Sequence, residues 1–86
     1  MKHQILIVED EPSIAELIAV NLEHHGYEVK KANQVIEANR YIKESLPSLI
    51  ILDWMLPGQS GVQYAQALRK NSDTALVPIL MLTAKS

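Results

Sequence analysis

Three runs of large aliphatic residues, uninterrupted by polar residues, most constrain how this chain can fold. They cover residues 5–8, 49–52 and 79–82. Such runs are typical of strands buried on both faces, which occur mainly in parallel sheets covered by helices. The chain is therefore expected to form a central parallel sheet, with strands over residues 3–8, 48–53 and 78–82.

Each run is followed by polar residues that can take part in chemistry. Glu9 and Asp10 follow the first run, Asp53 the second and Thr83 the third. Neighbouring parallel strands lie about 5 Å apart, and α/β sheets bind ligands at the carboxyl ends of their strands. Carboxylates that meet there repel one another unless a cation lies among them, and oxygen ligands suit Mg²⁺. The pattern predicts a magnesium-dependent phosphoryl site and leaves hydrolysis and phosphoryl acceptance both open.

The segments between the strands have apolar residues at helical spacing. Pro12 fits the first position of a helix and Gly26 fits a left-handed C-cap, so the first helix is expected over residues 12–25. Asn33 and Ser60 are expected to cap the second and third helices. The residues expected to face the sheet from the first helix are Ile14, Leu17, Ile18 and Leu22.

The alternation of strands and helices predicts the fold class. Helical crossovers between buried strands are typical of an α/β doubly wound parallel sheet with right-handed connections. Residues 27–32 alternate between apolar and charged side chains, as expected of a strand at the edge of the sheet. A chain of 86 residues has room for one such domain.

The composition excludes several kinds of site and partner. The absence of cysteine excludes a disulfide framework and a thiolate metal site. A net charge of -2 gives these residues no electrostatic footprint for DNA. The aliphatic stretch near the start is too short for a signal peptide or a membrane span. A cytoplasmic protein with no membrane partner is expected.

Three motifs, in order along the chain, carry a resemblance to a known family. They are Glu9-Asp10, the stretch Asp53-Trp54-Met55-Leu56-Pro57-Gly58, and the ending Met81-Leu82-Thr83-Ala84. Together they resemble the receiver domain of two-component response regulators, and within that family the phosphate-regulon regulators of the winged-helix subfamily. The resemblance implies a flavodoxin-like doubly wound parallel sheet with strand order 2-1-3-4. A complete receiver continues with a helix, a strand and a helix, so residues 1–86 are expected to form a partial receiver domain.

The resemblance also implies a role for each motif residue. Asp53 is the expected acceptor of a phosphoryl group from a sensor histidine kinase. Thr83 would hydrogen-bond that group, and Ala84 would leave room for it. The implied output is transcription, through dimerisation and a C-terminal DNA-binding domain outside these residues. The implied Mg²⁺ ligands are Glu9, Asp10, Asp53 and the backbone carbonyl of Met55.

Two other functions stay open on the sequence. A Mg²⁺-dependent phosphatase of the haloacid-dehalogenase type also uses a strand-end aspartate, but it places a second aspartate two positions later, where this chain has Met55. The other function is a non-catalytic, self-associating unit. Without the last helix of a receiver, the first and third strands are expected to lie uncovered on the side of the first helix. The strand over residues 78–82 is expected to form an open edge, which favours self-association.

Overall fold

A computed structural model describes residues 2–82 as an α/β domain in three layers. Three helices alternate with the strands of a central sheet, and a small two-stranded hairpin precedes the last helix. The elements in chain order are β1 Gln4–Val8, α1 Pro12–His24, β2 Glu28–Ala32, α2 Val35–Glu44, β3 Leu49–Asp53, β4 Met55–Leu56, β5 Gln59–Ser60, α3 Gly61–Lys70 and β6 Ile79–Leu82.

The central sheet is parallel and has the strand order β2-β1-β3-β6. This order confirms the predicted order 2-1-3-4, because β6 is the fourth strand of this sheet. Val8 of β1 is aligned with Leu52 of β3, and Asp53 is aligned with Leu82 of β6. The residues that follow these strands therefore emerge together at one edge of the sheet.

Both faces of the two central strands are buried, as the aliphatic runs predicted. Successive side chains of a strand point to opposite faces, so the runs supply both cores. Residues of β1 and β3 that face α2 and α3 pack with Ala38, Tyr64 and Leu68, and those that face α1 pack with Ala15 and Ala19. Full burial of one such side chain stabilises the fold by about 1.5–3 kcal/mol. The strands that end at the acidic residues are therefore firmly anchored.

Helix α1 packs with a different phase from the one predicted. Ile14 and Leu17 were expected to face the sheet, but they are 45% and 65% exposed. The buried residues of α1 are Ala15 and Ala19, with Ile18 and Leu22 packed beside them. Small alanines spaced four residues apart lie on one face and let the helix approach the sheet closely, which turns the larger side chains outward. The predicted end of α1 is confirmed, since Gly26 follows it with φ 90.

The expected uncovered face of the sheet is largely covered. Ile5, Ile7 and Ile51 on the α1 side are only 3%, 0% and 4% exposed, and they share a buried cluster with Ala15 and Ala19 of α1. The exposed position lies on β6, which is an edge strand, as predicted. Leu80 is aligned with Ile51, shares its face by the alternation of the strand, and is 53% exposed.

The caps of the other two helices were predicted with mixed success. Asn33 is not the cap of α2: Gln34 holds that position without a side-chain hydrogen bond. The Asn33 N–H instead donates to Glu37 Oε1 at 2.9 Å. A side chain inside α2 thus accepts a hydrogen bond from the backbone just before the helix. Ser60 does cap α3, where its hydroxyl accepts from the Gln63 N–H at 3.1 Å in a capping box.

Candidate functional site

Three carboxylates meet at the carboxyl edge of the sheet. Glu9 and Asp53 come directly after the aligned pair Val8 and Leu52, and Asp10 follows at the bend into α1. The Glu9 N–H donates to the Ala32 carbonyl at 2.9 Å and so extends the β1–β2 ladder by one residue. One carboxylate oxygen from each of the three acids lies within 4.8 Å of the others. The predicted convergence of these residues is thus observed.

The three acids differ in their exposure to solvent. Glu9 and Asp53 are 5% and 8% exposed, whereas Asp10 is exposed. The pKa of Glu9 is raised from 4.5 to about 7, chiefly by burial and in smaller part by the hydrogen bond and the charge of the neighbouring Asp53. A hydrogen bond from the Glu11 N–H to Glu9 Oε2, at 3.0 Å, favours the ionised form and opposes this shift. The cluster therefore has more negative charge than its surroundings neutralise.

A hard divalent cation could neutralise this excess negative charge. Mg²⁺ binds to one or two carboxylates and keeps several of its waters, which suits two buried acids beside an exposed one. The donors are all oxygen atoms, as this ion prefers. A cation among the carboxylates would also favour the ionised form of Glu9. The residues of the cluster could hold a metal.

The backbone around Asp53 restrains its carboxylate. The Trp54 N–H donates to the Leu82 carbonyl at 2.8 Å and continues the β3–β6 ladder beyond Asp53. The Met55 N–H donates to Asp53 Oδ1 at 3.3 Å, which links one carboxylate oxygen to the chain two residues on. One oxygen of Asp53 is thus held by its own loop.

Met55 lies in a hairpin that the sequence analysis did not predict. Met55 pairs with Ser60 and Leu56 with Gln59 in an antiparallel ladder closed by Pro57 and Gly58. Gly58 has φ 77, a left-handed backbone conformation that glycine adopts without strain. The Pro-Gly pair between two short segments is the signal that could have revealed this hairpin. The Met55 side chain is 68% exposed, and a ligand role for its backbone carbonyl stays a prediction.

The remaining predicted site residues, Thr83 and Ala84, lie outside the residues that the structure describes. Leu82, which precedes them, is aligned with Asp53. The roles of Thr83 and Ala84 stay predictions.

Two adjacent histidines, His24 and His25, lie at the end of α1. Their rings stand edge to face, with the ring centroids 6.0 Å apart.

Within residues 2–82, none of the helices has the length and apolar character needed to cross a bilayer.

Fold and site together define the class of this protein. It is an α/β protein of the doubly wound class, with an acidic cluster at the carboxyl edge of its parallel strands. The family model of the response regulator receiver domain matches residues 5–86, and the chain belongs to that family. This match confirms the predicted family, and the similarity to solved receiver structures confirms the flavodoxin-like fold. Receiver domains are regulatory parts of two-component systems.

Individual relatives agree with this assignment. The phosphate regulon transcriptional regulatory protein PhoB of Pseudomonas aeruginosa is 51% identical over 81 residues, which are 94% of this chain and 35% of that protein. A putative response regulator from Chloroflexus aurantiacus has a TM-score of 0.94 at 38% identity, over 100% of this chain and 70% of its own. The response regulator TrrA of Thermotoga maritima was solved in complex with Mg²⁺-BeF. It has a TM-score of 0.87 at 40% identity, over 100% of this chain and 72% of its own. The chain thus spans about a third of the length of the curated relatives that it resembles.

Proposed function

We propose that this chain is the phosphoacceptor receiver of a response regulator and that Asp53 accepts the phosphoryl group from a sensor histidine kinase. A carboxylate oxygen of Asp53 attacks the phosphorus of a phosphohistidine in line. The new P–O bond forms as the P–N bond breaks, and the imidazole leaves with the electron pair and takes up a proton. The product is an acyl phosphate on Asp53.

The convergence of Glu9, Asp10 and Asp53 within 4.8 Å is the observation that carries this proposal. A carboxylate becomes an effective acceptor only where its position is fixed and the charge of the incoming phosphoryl group is neutralised. The Met55 N–H holds one oxygen of Asp53, so the second oxygen is free of that bond and suited to attack. The chain itself thus assists its own phosphorylation as a regulatory protein, without turnover.

Mg²⁺ is the proposed cofactor, with Glu9, Asp10, Asp53 and the backbone carbonyl of Met55 as its ligands. When bound, the ion neutralises charge on the phosphoryl oxygens. The buried pair Glu9 and Asp53 supports this choice, because two acids at 5% and 8% exposure need a counter-charge. TrrA, which this chain resembles at 40% identity, formed a complex with Mg²⁺-BeF.

Thr83 and Ala84 complete the proposed site at the end of β6. The alignment of Asp53 with Leu82 supports this placement, since residues next in sequence after aligned positions of parallel strands are neighbours. Thr83 donates its hydroxyl to a phosphoryl oxygen, and Ala84 leaves space for the group.

The proposed partners follow from the relatives. PhoB of Pseudomonas aeruginosa is named as a transcriptional regulatory protein, and this chain corresponds to 35% of its length. In the proposal, residues 1–86 form the first part of a receiver domain. A DNA-binding domain elsewhere in the complete protein delivers the output, in the cytoplasm, and phosphorylation controls it through dimerisation.

Phosphorylation from a small phosphodonor tests the acceptor. The chain is incubated with acetyl phosphate and Mg²⁺, and intact mass spectrometry counts the added phosphoryl groups. We expect one group on the original chain and none on Asp53→Asn. Asp73→Asn is the matched control, because Asp73 is an exposed acid in the loop between α3 and β6. An Asp53→Asn variant that gains the phosphoryl group at the original rate would contradict the proposal. Continuous release of phosphate from a phosphomonoester would favour the phosphatase instead.

A further inference from the structure

The first residue of α3 lies against the backbone of Asp53. A Cβ built on Gly61 would stand 2.0 Å from the Asp53 carbonyl oxygen, 2.9 Å from its carbonyl carbon and 3.0 Å from the Trp54 Cα. Real Cβ atoms essentially never come within 3.0 Å of another heavy atom, and these neighbours are backbone atoms that cannot rotate away. Gly61 does not have a positive φ, so the requirement for glycine here is one of space alone.

Hydrogen bonds hold this contact from both sides. The Gly61 N–H donates to the Trp54 carbonyl at 2.6 Å, and the Trp54 N–H donates to the Leu82 carbonyl at 2.8 Å. Residue Trp54, directly after Asp53, is thus bound to α3 through one backbone group and to β6 through the other. The capping box of Ser60 and Gln63 fixes the start of α3 in turn. The bend after Asp53 is clamped between a helix and a strand.

We propose that Gly61 is a positioning residue for Asp53, and that the close packing of α3 on this bend sets the direction of the Asp53 carboxylate. The inference rests on the proposed function of Asp53 as phosphoacceptor. An alanine at position 61 would have to open the 2.0 Å approach to at least 3.0 Å, which moves the Asp53 backbone or α3 by about 1 Å. A displacement of this size at a reacting group costs on the order of 10²-fold in rate.

Metal binding should suffer less than the rate. Glu9 and Asp10 follow β1, which borders β3 on the side opposite to β6. Mg²⁺ can adjust to a small shift of one ligand by exchanging it for a water. In-line attack has no such freedom. A merely structural role would lower both properties together, in proportion to the unfolded fraction.

The experiment compares Gly61→Ala with Gly26→Ala in the complete protein. Gly26 has φ 90 and no neighbour within 4 Å of a built Cβ, so its substitution strains the backbone without a clash. It follows the C-terminal end of α1, at the opposite edge of the sheet from the acids. The measurements for both variants are urea unfolding, Mg²⁺ titration followed by Trp54 fluorescence, and the rate of phosphorylation by acetyl phosphate at saturating Mg²⁺.

For Gly61→Ala we expect a loss of phosphorylation rate of about 100-fold and a loss of Mg²⁺ affinity of less than about tenfold. For Gly26→Ala we expect lower stability with both properties unchanged in the folded protein. Equal rates in the two variants, or a Gly61→Ala rate equal to the original, would overturn the inference. If the original protein gains no phosphoryl group on Asp53, the proposed function fails instead, so the two failures are distinct.

Ser60→Ala keeps the test decisive if Gly61→Ala does not fold. This variant removes the hydroxyl that accepts from Gln63 and loosens the start of α3 without adding an atom. We expect an unchanged circular dichroism spectrum and a phosphorylation rate several-fold lower, because the clamp on Asp53 becomes mobile. A rate equal to that of the original protein would then count against the inference.

Discussion

Glu9 and Asp53 lie beside each other at the ends of β1 and β3, and both are almost fully buried, at 5% and 8% exposure. Two carboxylates in this position cannot both be ionised cheaply, because each charge raises the cost of the other in a medium of low polarity. Without a cation, a proton is the counter-charge, and the pKa of Glu9 is accordingly raised to about 7 by burial and by Asp53. A proton and a metal ion thus compete for the same two residues.

Mg²⁺ affinity should therefore depend on pH near neutrality. Below the Glu9 pKa of about 7 the ion must displace a proton, and above it the acid is already ionised. We expect the apparent affinity to rise by up to about tenfold per pH unit below pH 7 and to level off above it. Isothermal titration at several pH values measures this dependence.

The control for this titration is Glu9→Gln, which keeps the size of the side chain and removes the titrating group. Its Mg²⁺ affinity should be weaker and almost independent of pH over the same range. A flat profile in the original protein would contradict the assignment of Glu9 as the competing group.

Stability without metal should fall as the pH rises. The pKa of Glu9 is higher in the folded state, at about 7, than its ordinary value of 4.5 in the unfolded chain. The folded state therefore binds the proton more tightly, and this contribution is fully present below pH 4.5 and is lost as the pH rises through 7. We expect the free energy of unfolding, measured with urea and a chelator, to decline between these values relative to that of Glu9→Gln.

Magnesium provides the second arm of the stability measurement. Added Mg²⁺ should restore the loss at high pH, because a ligand that binds only the folded state stabilises it. Added Mg²⁺ should raise the free energy of unfolding of Glu9→Gln by a smaller amount. If the difference in stability between the two proteins does not change with pH, Glu9 is not protonated in the folded state.

The fold and the acidic cluster were readable from the sequence because their causes are local. The unbroken aliphatic runs at residues 5–8 and 49–52 indicated strands buried on both faces, which are typical of a parallel sheet, and Asp53 follows the second run directly. The run at residues 79–82 did not reveal that Leu80 is 53% exposed, because exposure at the edge of a sheet depends on which strands lie beside it. The phase of α1 was not readable, since Ile14 and Ala15 are both apolar and only packing against the sheet selects the smaller one. The role of Gly61 also depends on a contact with Asp53 across a hairpin, which no spacing rule reveals.

The outward apolar residues of α1 predict where a protein partner docks. Ile14 and Leu17 lie in the first two turns of α1, which begins two residues after Asp10, and they are 45% and 65% exposed. A kinase that reaches Asp53 must pass close to this end of α1. We expect Leu17→Ala to slow phosphotransfer from the partner kinase by about tenfold, as for an apolar interface residue. Phosphorylation by acetyl phosphate should keep its rate, since Leu17 does not belong to the acidic cluster.

Leu76→Ala is the matched control for the docking surface. Leu76 is 96% exposed in the loop before β6, at the opposite edge of the sheet from Asp53. We expect Leu76→Ala to leave the rate of phosphoryl transfer unchanged, both from the kinase and from acetyl phosphate. An equal loss in the two variants, or a Leu17→Ala loss with both phosphodonors, would show that the α1 surface does not bind the kinase.

The edge strand β6 predicts self-association of the 86-residue chain. Leu80 is 53% exposed on a strand that has one neighbour in the described sheet, and an apolar edge of this kind can pair with a second copy. Leu80→Lys should shift the mass measured by light scattering towards the monomer, because a charge at the edge opposes pairing. Leu46→Lys is the control, since Leu46 is also 53% exposed but lies between α2 and β3. A monomeric mass for the original chain at high concentration would contradict the prediction, and an equal shift in both variants would assign the association to general surface hydrophobicity.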